Sequence, residues 1–189
     1  TVSINVKDPF TTTSIYLTSY KGLGGEVVIP GDRGITTIQS FEFSNYEMVD
    51  KDLEAGDVIN DEDPYHIKQW FIGDDTITKV VIPEGVTDIE SYAFANLTAL
   101  EEVVFPTTLT RIGVGAFYGC KNLKKANFGN VKFINEKAFY ECQLSAVDFK
   151  SIVAVGSYAF AKNAIGNLNL PASAQSLDSG AFAGNTALN

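Results

Sequence analysis

The sequence predicts an α/β repeat solenoid, with short parallel strands stacked coil on coil along one side and helical or 3-10 turns on the other. Three observations predict it. An Ala-Phe pair recurs with its Phe at Phe94, Phe117, Phe139, Phe160 and Phe182, at spacings of 23, 22, 21 and 22 residues. An aliphatic residue stands five positions before each Phe, at Ile89, Ile112, Ile134, Val155 and Leu177. Each interval also holds a stretch of alternating polarity, often closed by proline: VVIP from Val80, VVFP from Val103, ANFG from Ala126, VDFK from Val147 and LNLP from Leu168.

Each element of the repeat has a physical reason. Alternation with period two is the mark of a half-buried strand. Proline ends a strand where its missing N–H costs no ladder bond. A single coil cannot bury its own apolar face, so coils stack into one continuous core and the recurring Phe becomes an interior column. Ala precedes it because the turn passes close to its neighbour. A 21- to 23-residue period lies in the leucine-rich-repeat range, and the expected form is a right-handed array. An earlier copy is visible in VVIP from Val27, with Ile38 and Phe43 keeping the five-residue spacing although Glu42 replaces the Ala.

The composite pattern IxxxAFxxCxxLxxVxFP resembles the BspA-like leucine-rich-repeat family. The segment YLTSYKGLGGEVVIP, from Tyr16 to Pro30, looks like the lead-in that opens many such arrays. The resemblance covers roughly Ile15 to Asn189, apart from one interruption. It implies display on a bacterial cell surface and attachment to other proteins. The expected organisation is a strand-rich N-terminal cap over residues 1–25 and a solenoid of five to six coils over 26–189.

The interruption is an insert over residues 44–73. From Phe43 to Phe94 is 51 residues where one repeat needs about 22. The insert carries eight acids against Lys51 and Lys68, which gives −6 of the chain's net −9. It also holds the only His (His66), the only Trp (Trp70) and the only Met (Met48). Insertions in solenoids fall on loops, and loops on a rigid scaffold favour binding residues. Two readings stay open: Trp70 and Phe71 anchor the loop to the solenoid, or Tyr46, Asp57, Asp61, His66 and Trp70 contact a ligand. A calcium loop from Asp50 to Glu62 is a poor match, since Ala55 stands where an EF-hand needs Gly and Asp61 where it needs Glu.

The outward strand positions form a second candidate site. Lys79, Glu102 and Lys125 fall in one column, and Val81, Val104, Asn127, Asp148 and Asn169 in the next. The alternating charges favour cross-strand pairing, and an exposed sheet face is a common binding surface of solenoids. Tyr118 and Tyr140 each follow a repeat Phe and stand either as cover or as a sugar-stacking row. Cys120 and Cys142 share their slot with Leu97, Asn163 and Asn185. A buried reduced ladder is expected there, with a disulfide as the alternative if the Cα atoms approach within about 7 Å.

Composition excludes several functions. With 45% hydrophobic residues the chain has material for a core, and −9 net charge is the wrong sign for nucleic acid or an anionic membrane. No run of about 18 apolar residues exists to span a bilayer, and TVSINVKDPF lacks the blocks of a signal peptide. One His without a nucleophile–base spacing, and no phosphate loop, point away from catalysis; no metal or cofactor is expected. The expected function is a surface or secreted adhesin-like module that binds a protein. A glycan-binding module and a structural spacer are the alternatives. The array stops partway through a coil at AFAGNTALN, so the native chain is expected to continue or its open edge to be covered.

Overall fold

A computed structural model describes residues 15–17, 24–29, 31, 35–38, 44–45, 72–73 and 75–188. Its strands are β1 (Ile15–Leu17), β2 (Gly25–Val28), β3 (Ile35–Ile38), β4 (Ser44–Asn45), β5 (Ile72–Gly73), β6 (Ile77–Val81), β7 (Asp88–Ile89), β8 (Glu102–Val104) and β9 (Arg111–Ile112). They continue with β10 (Lys125–Ala126), β11 (Phe133–Ile134), β12 (Ala146–Asp148), β13 (Ala154–Val155), β14 (Asn167–Asn169) and β15 (Ser176–Leu177).

From Ile77 onward each coil lays down two strands, not one. The period-two stretches form a four-stranded parallel sheet, β2-β6-β8-β10, continued by the separate pair β12-β14. The aliphatic residues before each Ala-Phe form a second parallel sheet of seven strands, β1-β3-β7-β9-β11-β13-β15. Both are parallel because successive coils run the same way, so each strand meets its counterpart one coil on. The strands stay short because proline or a turn closes each one.

The helical or 3-10 side expected from the sequence is corrected: the described residues contain no α-helix, and none of the Ala-Phe segments is a 3-10 helix. The Ala-Phe segments are stacked turns whose amides alternate between two jobs. Phe94, Phe117, Phe139 and Phe160 donate their N–H to Ala116, Ala138, Ala159 and Ala181 of the next coil, at 2.7–2.8 Å. The residue after each Phe donates backward instead: Tyr118 to the Gly115 carbonyl at 2.9 Å and Tyr140 to the Lys137 carbonyl at 3.1 Å. A helix would use every amide within its own coil, whereas here half of them join coils.

Positive φ makes this possible. Two residues per coil, two before and two after the Phe, sit in the left-handed region: Tyr92 and Asn96, Gly115 and Gly119, Lys137 and Glu141, Tyr158 and Lys162, Gly180 and Gly184, with φ between 52° and 72°. Such residues stop a right-handed helix at each occurrence. At Gly115 the backbone has a second reason: a Cβ there would meet the Tyr92 ring at 2.2 Å. Tyr158 lies over Gly180 in the same way.

The core is a pair of aromatic columns. Phe94, Phe117, Phe139, Phe160 and Phe182 stack face to face with centroids 5.0–5.3 Å apart and planes within 9°. Phe105, Phe128 and Phe149, which follow β8, β10 and β12, pack against that stack at steep angles, 66–83° between planes. Ile89, Ile112, Ile134 and Val155 close the third side and are fully buried.

β4 and β5 pair antiparallel, with Ser44 opposite Gly73 and Asn45 opposite Ile72. The two ends of the insert are thereby held side by side. Residues 46–71, between these strands, lie outside the described residues, as does most of the expected cap.

Candidate binding face

Strand alternation decides which side chains reach the surface. In the four-stranded sheet Val27, Val80 and Val103 point inward and are buried. Their neighbours point outward and form two columns. The first is Glu26, Lys79, Glu102 and Lys125, in register across β2, β6, β8 and β10. The signs alternate at every step. Lys79 Nζ lies 2.9 Å from Glu26 Oε1, and this hydrogen bond, then the Glu26 charge, raises the lysine pKa above its ordinary value, with Glu102 adding to it. The second column is Val28, Val81 and Val104. Val28 is 55% exposed and the other two are half-buried.

The ladder stops at Asn127 for a local reason. Its side-chain carbonyl accepts the Phe105 N–H at 3.0 Å, and its amide reaches the Phe105 carbonyl at 3.4 Å. The side chain stands in for a strand and shortens β10 to two residues. Asp148 and Asn169 therefore face out from β12-β14, a separate sheet, and Asp148 pairs with Lys150 at 2.6 Å in the open. So the structure unites Lys79, Val81, Glu102, Val104 and Lys125, turns Asn127 onto the backbone, and sets Asp148 and Asn169 apart. Tyr46, Asp57, Asp61, His66 and Trp70 lie outside the described residues. The sequence reading left out Glu26 and Val28, although the first VVIP copy aligns them under Lys79 and Val81.

The tyrosine pair is poorly placed to hold a sugar. Tyr118 and Tyr140 stack on each other with centroids 5.3 Å apart and planes at 7°. Lys162 Nζ lies 5.0 Å from the Tyr140 centroid, and Tyr118 is only 7% exposed. A stacking platform needs a free ring face, and these faces are turned to each other and to the lysine.

The cysteines are likewise occupied. Both are free and buried. Cys120 donates its S–H to the Phe94 carbonyl at 3.1 Å and Cys142 to that of Phe117 at 3.3 Å. Burial pushes the Cys120 thiol up to about 12, and Cys142 also rises well above the ordinary value, first through burial. The folded state thus holds its protons after the unfolded state, with a thiol pKa of 9.0, has lost them. The stability linked to the Cys120 thiol is intact below pH 9 and falls as pH rises from 9 towards 12, by about 1.4 kcal/mol per pH unit. Melting curves from pH 8 to 11 should show a shallower fall for Cys120→Ala than for the parent chain. Parallel slopes would mean that the thiol ionises freely in the fold. Among the described residues no group of three or more His, Cys, Asp or Glu is placed to hold a metal, and no helix is long and apolar enough to cross a membrane.

The chain's sequence matches the profile of the BspA-type leucine-rich repeat region in 6 copies over residues 67–189. None of the curated proteins matches it. Among solved structures it is similar to a leucine-rich cell surface protein from Faecalibacterium prausnitzii A2-165, with a TM-score of 0.60 and 21% identity over 93% of this chain and 49% of that one. It is also similar to a leucine-rich repeat protein from Eubacterium ventriosum, with a TM-score of 0.53 and 21% identity over 89% of this chain and 45% of that one. The chain thus spans about half the length of each.

Proposed function

The chain belongs to the BspA-type leucine-rich-repeat family, and from that premise we propose a non-enzymatic, adhesin-like module, displayed at a cell surface or secreted, that binds a protein. The observation that carries it is the outer face of the four-stranded sheet, where an apolar valine column runs beside a charge ladder of alternating sign. Valine is stiff at χ1, so fixing it in an interface costs little entropy. The flanking charges set the register of a partner and reject one with the wrong pattern. Three strands at about 4.8 Å spacing make a strip only about 10 Å long. It is the centre of an interface, and its rim comes from neighbouring surfaces.

The test displays the chain on beads and measures capture of purified extracellular-matrix proteins, with a glycan array in parallel. Val28→Lys with Val104→Lys should keep the far-UV spectrum and weaken binding at least tenfold. Undiminished binding by that variant would remove the sheet face as the site. Saturable binding to glycans alone would replace the protein-binding reading.

A further inference from the structure

The charge ladder on the four-stranded sheet has a symmetry that pairing within the chain does not need. Its order is Glu26, Lys79, Glu102, Lys125, one residue from each of β2, β6, β8 and β10 in register. It sums to zero, and the next coil puts the uncharged Ala146 in the same place. An alternating row with an even number of members is its own complement when read backwards. A two-fold axis parallel to the strands, midway between β6 and β8, reads it backwards. That axis sets Glu26 over Lys125 of a second copy, and Lys79 over Glu102. It also sets Val81 over Val104 of the second copy, and Val28 over Asn127. Asn127 brings no bare carbonyl to that contact, since its Oδ1 already accepts the Phe105 N–H at 3.0 Å. Glu101 and Lys124, exposed one residue before Glu102 and Lys125, come beside Lys79 and Glu26 of the second copy. No like charges are set opposite one another. An axis across the strands would instead set each charge of the ladder over its own sign.

We infer that this face binds a second copy of the same chain, so that the partner of the adhesin-like module is the module itself. The inference rests on the reading of the sheet face as the binding surface and names its occupant. Charges already paired within the sheet, such as Lys79 and Glu26 at 2.9 Å, add little strength at an exposed site. Their contribution is register: a pairing slipped by one strand would set like charges opposite each other. The apolar gain comes from the valines, of which Val28 is 55% exposed. Sheets pack face to face about 10 Å apart with their strands nearly aligned, and an axis parallel to the strands provides that alignment. Four short strands about 4.8 Å apart cover well under the about 800 Å² per partner of a stable interface, so one pair of chains binds weakly. Many copies on two opposed surfaces bind firmly, because each contact raises the effective concentration for the next.

The test uses beads of two colours at low salt, one displaying the chain and the other a sign-inverted variant. The variant carries Glu26→Lys, Lys79→Glu, Glu101→Lys, Glu102→Lys, Lys124→Glu and Lys125→Glu. It keeps every opposite-sign pair of the ladder within the chain and should leave the far-UV spectrum unchanged. Each colour should cluster with itself. In a mixture the clusters should be of one colour, with mixed contacts about tenfold rarer, because parent and inverted ladders set like charges opposite each other. Val28→Lys with Val104→Lys should abolish clustering of the parent beads. Parent beads that stay single, colours that mix freely, or clustering that survives the valine changes would each overturn the inference. Parent beads that stay single yet capture a matrix protein through the valine face would sink self-recognition and leave the protein-binding reading standing. Beads that sort by colour but capture no matrix protein would support self-recognition and remove the matrix partner.

Discussion

Replacing Phe139 with alanine is expected to cost about 3–5 kcal/mol of unfolding free energy, the usual range for truncating a buried phenylalanine. Phe139 is the middle ring of the stack, 5.1 Å from Phe117 and 5.2 Å from Phe160. Phe128 meets it edge-on at 5.2 Å and Phe105 at 6.5 Å. The cavity cannot close by local collapse, because both neighbouring rings are fixed by their own coils. In a solenoid each coil contacts only its neighbours, so a weak middle coil also uncouples the two halves. Chemical denaturation should therefore show a lower midpoint together with a shallower or split transition. Phe182→Ala, at the half-buried end of the same stack, should cost less and keep a single transition. Equal losses at both positions would mean that the stack does not carry the core.

Much of this was legible in the sequence because a repeat reports the same environment several times. The Phe column, the inward strand residues and the register of Lys79, Glu102 and Lys125 all follow from spacing alone. The second sheet was missed although its aliphatic column was in plain view at Ile89, Ile112, Ile134, Val155 and Leu177. Two residues per strand give no alternation to detect, and Ala-Phe reads locally as a helical turn. What rules out the helix is a left-handed residue on either side of the Phe. In three of the five coils these positions are Tyr92 and Asn96, Lys137 and Glu141, Tyr158 and Lys162. Of these side chains only Asn commonly signals left-handed backbone.

The Cys and Asn slot holds a further rule, and it yields the second large effect. After Leu97 and Cys120 two residues precede the next core leucine, and the turn closes on itself: Leu100 N–H to the Leu97 carbonyl at 3.1 Å and Leu123 N–H to the Cys120 carbonyl at 2.9 Å. After Cys142 and Asn163 only one residue intervenes, and the turn loses that bond. The slot residue of the next coil replaces it, Asn163 Oδ1 accepting from Leu144 N–H and Asn185 Oδ1 from Ile165 N–H, both at 3.0 Å. All four polar slot residues also donate to the Phe carbonyl of the preceding coil, Cys through S–H and Asn through Nδ2. Cys suffices above a long turn, and Asn is required above a short one. Asn163→Cys keeps the donor to Phe139 but strands the buried Leu144 N–H, at about 1–3 kcal/mol for an unsatisfied donor. Inserting one residue between Gln143 and Leu144 restores the long turn. Alone the insertion should destabilise, because the Asn163 carboxamide then loses its donor; combined with Asn163→Cys it should recover most of the loss. A double-mutant cycle reads this coupling directly. Additive costs would show that the two turn lengths are independent of the slot. A recovery of more than about 1 kcal/mol, above the usual scatter of independent sites, would make coil length and the next coil's slot residue a single structural unit.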